Sequence, residues 1–216
     1  FRSRGIATDY VLFSNYDAQV EALLADAIEI AWNTNLAYIK THRLTKGKCR
    51  ALAMRDTDVG FTTKMIARAG SGVESVHDLR GKRVAFGSRD SGQAAILPWY
   101  FLKQSGIDPG RDLTAIRFDL DVGKHGDTGT SEVEVLNAVS RGEADAVAVG
   151  DQYWARALGE GPAASGEVKA FWTSPPYCHC NFPVRSDADV DRFRPWTDAL
   201  LAMEYNNPAH RPIMDM

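Results

Sequence analysis

Ala138-Val139-Ser140-Arg141-Gly142-Glu143-Ala144-Asp145-Ala146-Val147 echoes a stretch that lies earlier in the chain, Ala22-Leu23-Leu24-Ala25-Asp26-Ala27-Ile28-Glu29-Ile30-Ala31. Each reads as the end of an amphipathic helix, a turn, one acidic residue and a small apolar strand. The offset is 116 residues at both ends of the match (138 against 22, 145 against 29). A second pair precedes them, Arg4-Gly5-Ile6 and Ser105-Gly106-Ile107, at an offset of 101 (106 against 5). The difference marks an insertion in the second copy, placed at the polar loop 119–130. Chance likeness between α/β units is one reading of this repeat; two similar α/β lobes is the other. Under the second, the counterpart of Arg83–Gln93 falls before Phe1. The repeat then predicts a preceding strand and helix, with Phe1–Arg4 as the tail of that helix.

Outward from the repeat, the pattern alternates strands and helices. Strands are expected at 6–13, 27–32, 50–54, 61–67, 83–86, 113–118, 144–149 and 168–173. In 17–26, Val20, Leu23, Leu24 and Ala27 recur at helical spacing. Further helices are expected at 93–105, 131–141, after Asp151, and at 189–203, with a short capped turn at 75–79. Ser131 and Glu134 stand at capping-box spacing. The predicted fold is α/β with two lobes, residues 1–78 with 176–216 forming one and 79–175 the other.

Composition narrows the function. The 216 residues carry 25 Lys+Arg against 28 Asp+Glu, a net charge of −3, with 44% hydrophobic and 25% charged residues. These values exclude a disordered tail and a collagen-like repeat. No apolar run approaches the ~18 residues of a membrane-spanning helix. Near-neutrality argues against a dedicated nucleic-acid binder. Cys49, Cys178 and Cys180 are odd in number and give little evidence of compartment. No phosphate-loop Gly-Lys-Ser/Thr, Gly-x-Ser-x-Gly elbow or His-Glu-x-x-His is present, which disfavours common NTPases and hydrolases.

The ordered stretches Asn15-Tyr16-Asp17, Ile28-Glu29-Ile30-Ala31-Trp32, Leu79-Arg80-Gly81-Lys82-Arg83-Val84-Ala85-Phe86-Gly87-Ser88, Gly123-Lys124-His125-Gly126-Asp127 and Gly142-Glu143-Ala144-Asp145-Ala146-Val147-Ala148 resemble the phosphate/phosphite/phosphonate substrate-binding proteins of ABC transporters, within the type II periplasmic binding protein superfamily. The resemblance runs from about Tyr10 to Phe182. It implies two lobes with a small anion held in a cleft, an ABC permease as partner, a periplasmic location, no enzymatic activity and no cofactor. It also implies a longer protein, with further segments before Phe1 and after Met216 and any signal peptide before Phe1.

Four stretches are candidates for the site. Gly87-Ser88-Arg89-Asp90-Ser91-Gly92 runs from a strand into a helix, so its N–H groups and dipole favour an anion. Ser88 and Ser91 offer hydroxyls, and Arg89 offers a bidentate contact. A Ser or Asp cap on a plain strand-to-helix turn is the alternative. Relatives carry Ser-Thr-Ser where this chain has Arg89-Asp90-Ser91. Asp90 would repel a phosphonate, so either it turns away or the ligand is not a dianion. Lys124, His125 and Asp127 form a polar loop, with His125 implied at the cleft by the resemblance. Tyr16 and Trp32-Asn33-Thr34-Asn35 belong to the first lobe, and Asp151 is the offset partner of Asn35, suited to an amino group. Tyr177 lies in Pro175-Pro176-Tyr177-Cys178-His179-Cys180, where the chain is expected to cross between lobes. A metal-dependent enzyme using Cys178, His179 and Cys180 is the alternative function; no metal site is assigned, because no second Cys/His pair is evident.

Overall fold

The computed structural model describes residues 1–122, 129–159 and 161–214. Its elements, in chain order, begin with helices α1 (Tyr16–Leu24) and α2 (Asn35–Leu44) and strands β1 (Cys49–Ala53), β2 (Thr63–Arg68) and β3 (Arg83–Phe86). A π-helical turn, Gly92–Ile96, leads into α3 (Leu97–Gln104). Then come β4 (Thr114–Arg117), α4 (Thr130–Ser140), β5 (Ala146–Gly150), α5 (Asp151–Ala157) and α6 (Gly161–Ala164). β6 (Val168–Thr173), β7 (Phe182–Arg185), α7 (Arg194–Leu201) and α8 (Arg211–Met214) complete the chain.

The chain divides into two compact units. The first holds residues 1–12, 17–55 and 180–216. In it β1 and β7 pair antiparallel, Cys49 opposite Arg185 and Ala51 opposite Pro183, with a bulge before Ala53. Ala31 and Asn33 also bond to this stretch: the Ala31 N–H donates to the Pro183 carbonyl at 3.1 Å, and Asn33 exchanges backbone bonds with Asn181. α1 buries Val20 and Leu23, the i, i+3 pair of the sequence pattern. Two expected strands differ. Residues 6–13 form none, because no strand pairs with them among the described residues and Tyr10, Val11 and Leu12 are exposed. An unpaired extended segment cannot satisfy its backbone by a ladder. Of 27–32, Ala31 makes the backbone bond to the β7 stretch, through the Pro183 carbonyl, and no ladder forms among the described residues.

The second unit holds residues 13–16 and 56–179. Its five-stranded sheet runs β4-β3-β5-β2-β6. β3 lies parallel to β4 and β5, while β2 runs antiparallel to β5 and β6. Thus β2, expected with the first lobe, hydrogen-bonds inside this sheet. Every residue of β5 is buried, as suits a central strand covered on both faces. Pleating sends Ala146 and Ala148 to one face with Met65, Val84, Phe86 and Leu102. It sends Val147 and Val149 to the other with Ile66, Ala85, Val135 and Val139.

This topology gathers the ends of β3, β5 and β6 and the start of β2 along one sheet edge. Two glycines permit close packing there. A Cβ on Gly87 would stand 2.7 Å from Ala94 Cβ, and one on Gly150 would stand 2.9 Å from both Gln93 Cγ and Phe61 Cζ. Gly87→Ala is therefore expected to cost about 1–3 kcal/mol, lowering the melting temperature by roughly 2–4 °C for each of those. Thermal denaturation followed by circular dichroism checks this; an unchanged midpoint would mean that the helix start moves aside freely.

Candidate functional site

At this edge of the second unit, polar side chains are buried and paired with one another. Ser91 caps the helical turn, accepting the Ala94 N–H at 3.2 Å. Ser88 is buried; its hydroxyl lies 2.7 Å from Ser131 Oγ, accepts the Asp121 N–H at 2.9 Å, and points toward the Phe118 carbonyl. Asp121, also buried, accepts the Ser131 N–H at 2.8 Å and so occupies the N-terminus of α4. Gln93 Nε2 donates to Glu132 Oε2 at 3.2 Å, and the other Glu132 oxygen accepts the Gly150 N–H. With its nitrogen turned to the carboxylate, Gln93 presents Oε1 to His179 Nε2 at 3.0 Å, which makes that imidazole nitrogen the donor. His179 Nδ1 stands 3.3 Å from the buried Asp58 carboxylate, and the ring stacks on Phe61 at 4.4 Å.

The sequence-selected residues of this unit fall around that network. Arg89 is exposed; it donates from Nε (3.0 Å) and from its backbone N–H (2.8 Å) to Asp119. That bonding raises the Arg89 pKa and holds the Asp119 carboxyl below its ordinary range. Asp90 is half-buried and is not the cap, a role that Ser91 takes; Gly92 opens the turn behind it. Asp151 heads α5 and accepts both the N–H (2.8 Å) and the hydroxyl (2.9 Å) of Thr62. Tyr177 bridges to Phe61, with its hydroxyl 2.9 Å from Thr63 Oγ1. Tyr16 is half-buried at the start of α1. Lys124, His125 and Asp127 lie outside the described residues.

In the first unit, Trp32 is half-exposed, stacked on Phe182 at 5.7 Å and covered by the Arg55 guanidinium at 5.3 Å. Thr34 is the N-cap of α2, accepting the Ala37 N–H at 3.3 Å, and Asn35 opens the helix. Asn33 is 2% exposed, yet neither its amide nitrogen nor its oxygen has a partner; Asn181, opposite it, is 4% exposed with an unpartnered Oδ1. Such groups cost about 1–3 kcal/mol each unless something completes them. The sequence singled out Asn33 but not Asn181, which hides in a Cys-rich stretch and becomes notable only through its backbone pairing. It also passed over Gln93 and Glu132, whose positions read as ordinary helix.

Comparison with known proteins follows from this geometry. The family model of the periplasmic substrate-binding proteins of phosphonate ABC transporters matches residues 2–216. A probable ABC transporter phosphite binding protein, PhnD1 of Prochlorococcus marinus (strain MIT 9301), is 23% identical over 98% of this chain and 71% of that protein. The structure of PhnD1 from that organism in complex with methylphosphonate matches with a TM-score of 0.73 at 21% identity, covering 99% of this chain and 79% of that one. A binding protein component of an ABC phosphonate transporter from Pseudomonas aeruginosa gives a TM-score of 0.65 at 16% identity, covering 98% and 68%. These likenesses show the type II periplasmic binding protein fold.

The Arg89–Asp119 pair has a definite pH signature. A carboxylate held low stabilises the folded chain above its unfolded pKa and ceases to do so as pH falls through its folded value. Asp119 is only partly covered, so the effect is small, about 1 kcal/mol or less. Asp119→Asn is expected to melt slightly below the parent at about pH 7, with the gap narrowing as pH falls below the ordinary aspartate value of about 3.9 and closing below the lowered folded value. A gap of the same size at both ends of that range would show that the pair is not its source.

Proposed function

The chain belongs to the periplasmic substrate-binding family of phosphonate ABC transporters, and from that premise we propose that it captures a small phosphorus oxyanion (phosphonate, phosphite or phosphate) for an ABC permease. The match of the family model from residue 2 to residue 216 carries this reading. A relative named for phosphite and a structural neighbour that holds methylphosphonate point to the same ligand class. The start of α2, with Thr34 as its N-cap, offers a positive helix end in the first unit that suits an anion. Its place of work is the bacterial periplasm and its partner a membrane permease. Binding and release need no covalent step.

The family is one of transport components, and that weighs against an enzyme built on Cys178, His179 and Cys180. His179 is buried with its ring nitrogens directed at Gln93 and Asp58, which gives it a structural use within the second unit.

A ligand that binds only the folded chain raises its stability by about 2.7 kcal/mol at a concentration one hundred times Kd. Phosphite, methylphosphonate or phosphate is therefore expected to raise the melting temperature by several degrees. A thermal-shift panel of these anions, with matched chloride salts as controls, tests it; no shift with any of them would overturn the proposal.

A further inference from the structure

The sheet of the second unit has an opposite edge, where β2 ends and β3 and β5 begin. A cavity of about 270 Å³ opens there, and Arg68, Ser71, Lys82, Arg83 and Asp145 are in its lining. That is well above the ~10–15 Å³ that admits one water, so a five-atom oxyanion has room. The cavity lies at the start of β3, away from Ser88 and Ser91, which follow its end. Two guanidinium groups are fixed at it by carbonyls of one turn. Arg68 Nη2 donates to the Val139 carbonyl at 3.1 Å and the Ser140 carbonyl at 2.7 Å, at the C-terminal end of α4, where the helix dipole favours a cation. Gly142 (φ +75°) leaves it space: a Cβ there would stand 3.1 Å from Arg68 Nη2. Arg83 Nη2 donates to the Gly142 carbonyl at 3.0 Å and to Asp145 at 2.8 Å.

The one acid of the cavity is already committed. Asp145 also accepts the Arg83 backbone N–H at 2.8 Å and its Nε at 3.3 Å, and hydrogen bonding to Arg83 is the main cause that holds its carboxyl below the ordinary range. What remains is donors. Arg68 keeps Nε and Nη1, and Arg83 keeps Nη1. Ser71 accepts the Val73 N–H and has its own hydroxyl hydrogen to give. Lys82 is half-buried, and its ammonium makes no ion pair or hydrogen bond among the described residues. Three cations against one carboxylate leave a local charge of +2. Like charges gathered this way repel unless a counter-charge joins them.

We propose that this cavity is a second anion site, which takes a free tetrahedral dianion such as sulfate. Two negative charges match the local excess, and four oxygens meet the donors of both guanidinium groups, Ser71 and Lys82. A chloride ion supplies half the charge and no fixed directions for those donors. The site stands apart from the one that the proposed function concerns and does not depend on that reading.

Titration of the nitrogen-15-labelled chain with sodium sulfate, against sodium chloride at equal ionic strength, tests it. Low millimolar sulfate is expected to move the amide resonances of Ser71, Arg83 and Gly142 along one saturating curve, which chloride does not reproduce. Lys82→Gln removes one charge and breaks no side-chain bond of the folded chain. It should weaken sulfate about tenfold, the worth of one charge-assisted contact. Lys82→Glu should abolish the curve. Neither variant should change methylphosphonate affinity by more than about twofold, as expected of separate sites. Should Lys82→Glu fail to fold, Lys82→Gln and the parent decide. Shifts that chloride reproduces would mean screening only and overturn the proposal. So would saturating shifts confined to residues 87–94, or equal sulfate affinity in Lys82→Gln and the parent. A chain that binds sulfate at this cavity, but no phosphorus oxyanion elsewhere, would keep the second site and overturn the proposed function.

Discussion

Glu132 is a buried carboxylate on the first turn of α4, and the polar edge of the second unit is arranged around it. A charge in such a place is tolerated only where hydrogen bonds surround it. Glu132 receives them from the Gly150 N–H at the end of β5 and from Gln93 after β3, and so ties three segments together. Gln93 carries the arrangement further. Its backbone carbonyl accepts the Thr63 hydroxyl at 2.9 Å, and its side-chain oxygen faces His179. Gly150 and Gly87 are required because this network draws the helix start close to the strands, where a methyl group would intrude.

Much of the fold can be read from the residues because it rests on burial. The run Ala146–Val149 is apolar on both faces and reads as a central strand; Val20 and Leu23 give α1 by spacing alone. Elements that bury little escape detection. α2 buries only Ala37 and Thr41 and exposes Ile39 and Leu44, which blurs its periodicity. β7 carries Pro183, which argues against a strand until its neighbours are seen. Residues 10–13 err in the other direction. Tyr10-Val11-Leu12-Phe13 has strand composition, but composition cannot supply a partner to pair with.

The candidate site divides along the same line. Residue types that attract anions are visible in the sequence, but their commitments are not. Arg89 looks like a ligand group until Asp119 is found beside it. The N-terminus of α4 reads only as a capping box, yet Asp121 fills it from ten residues before Ser131. Asp151 looks available for an amino group, yet Thr62 donates to it twice from 89 residues away. Each pairing joins residues too distant in sequence for spacing to reveal. Asn33 and Asn181 are the reverse case: burial leaves both Asn33 side-chain atoms and Asn181 Oδ1 without partners, which residue type alone does not show.

That contrast bears on where binding energy arises. A ligand that recruits an internally paired group such as Ser88 or Arg89 must first break the bond already made, and the exchange yields little net gain. A ligand that completes a buried orphan gains the bond and removes the cost of its absence together. Among the described residues, the polar side chains at the sheet edge of the second unit bond largely to one another. The first unit, at Asn33 and Asn181, retains polar capacity that folding left unused. A small anion can be held by local donors and a helix end, so a net charge of −3 is no obstacle to an anion binder.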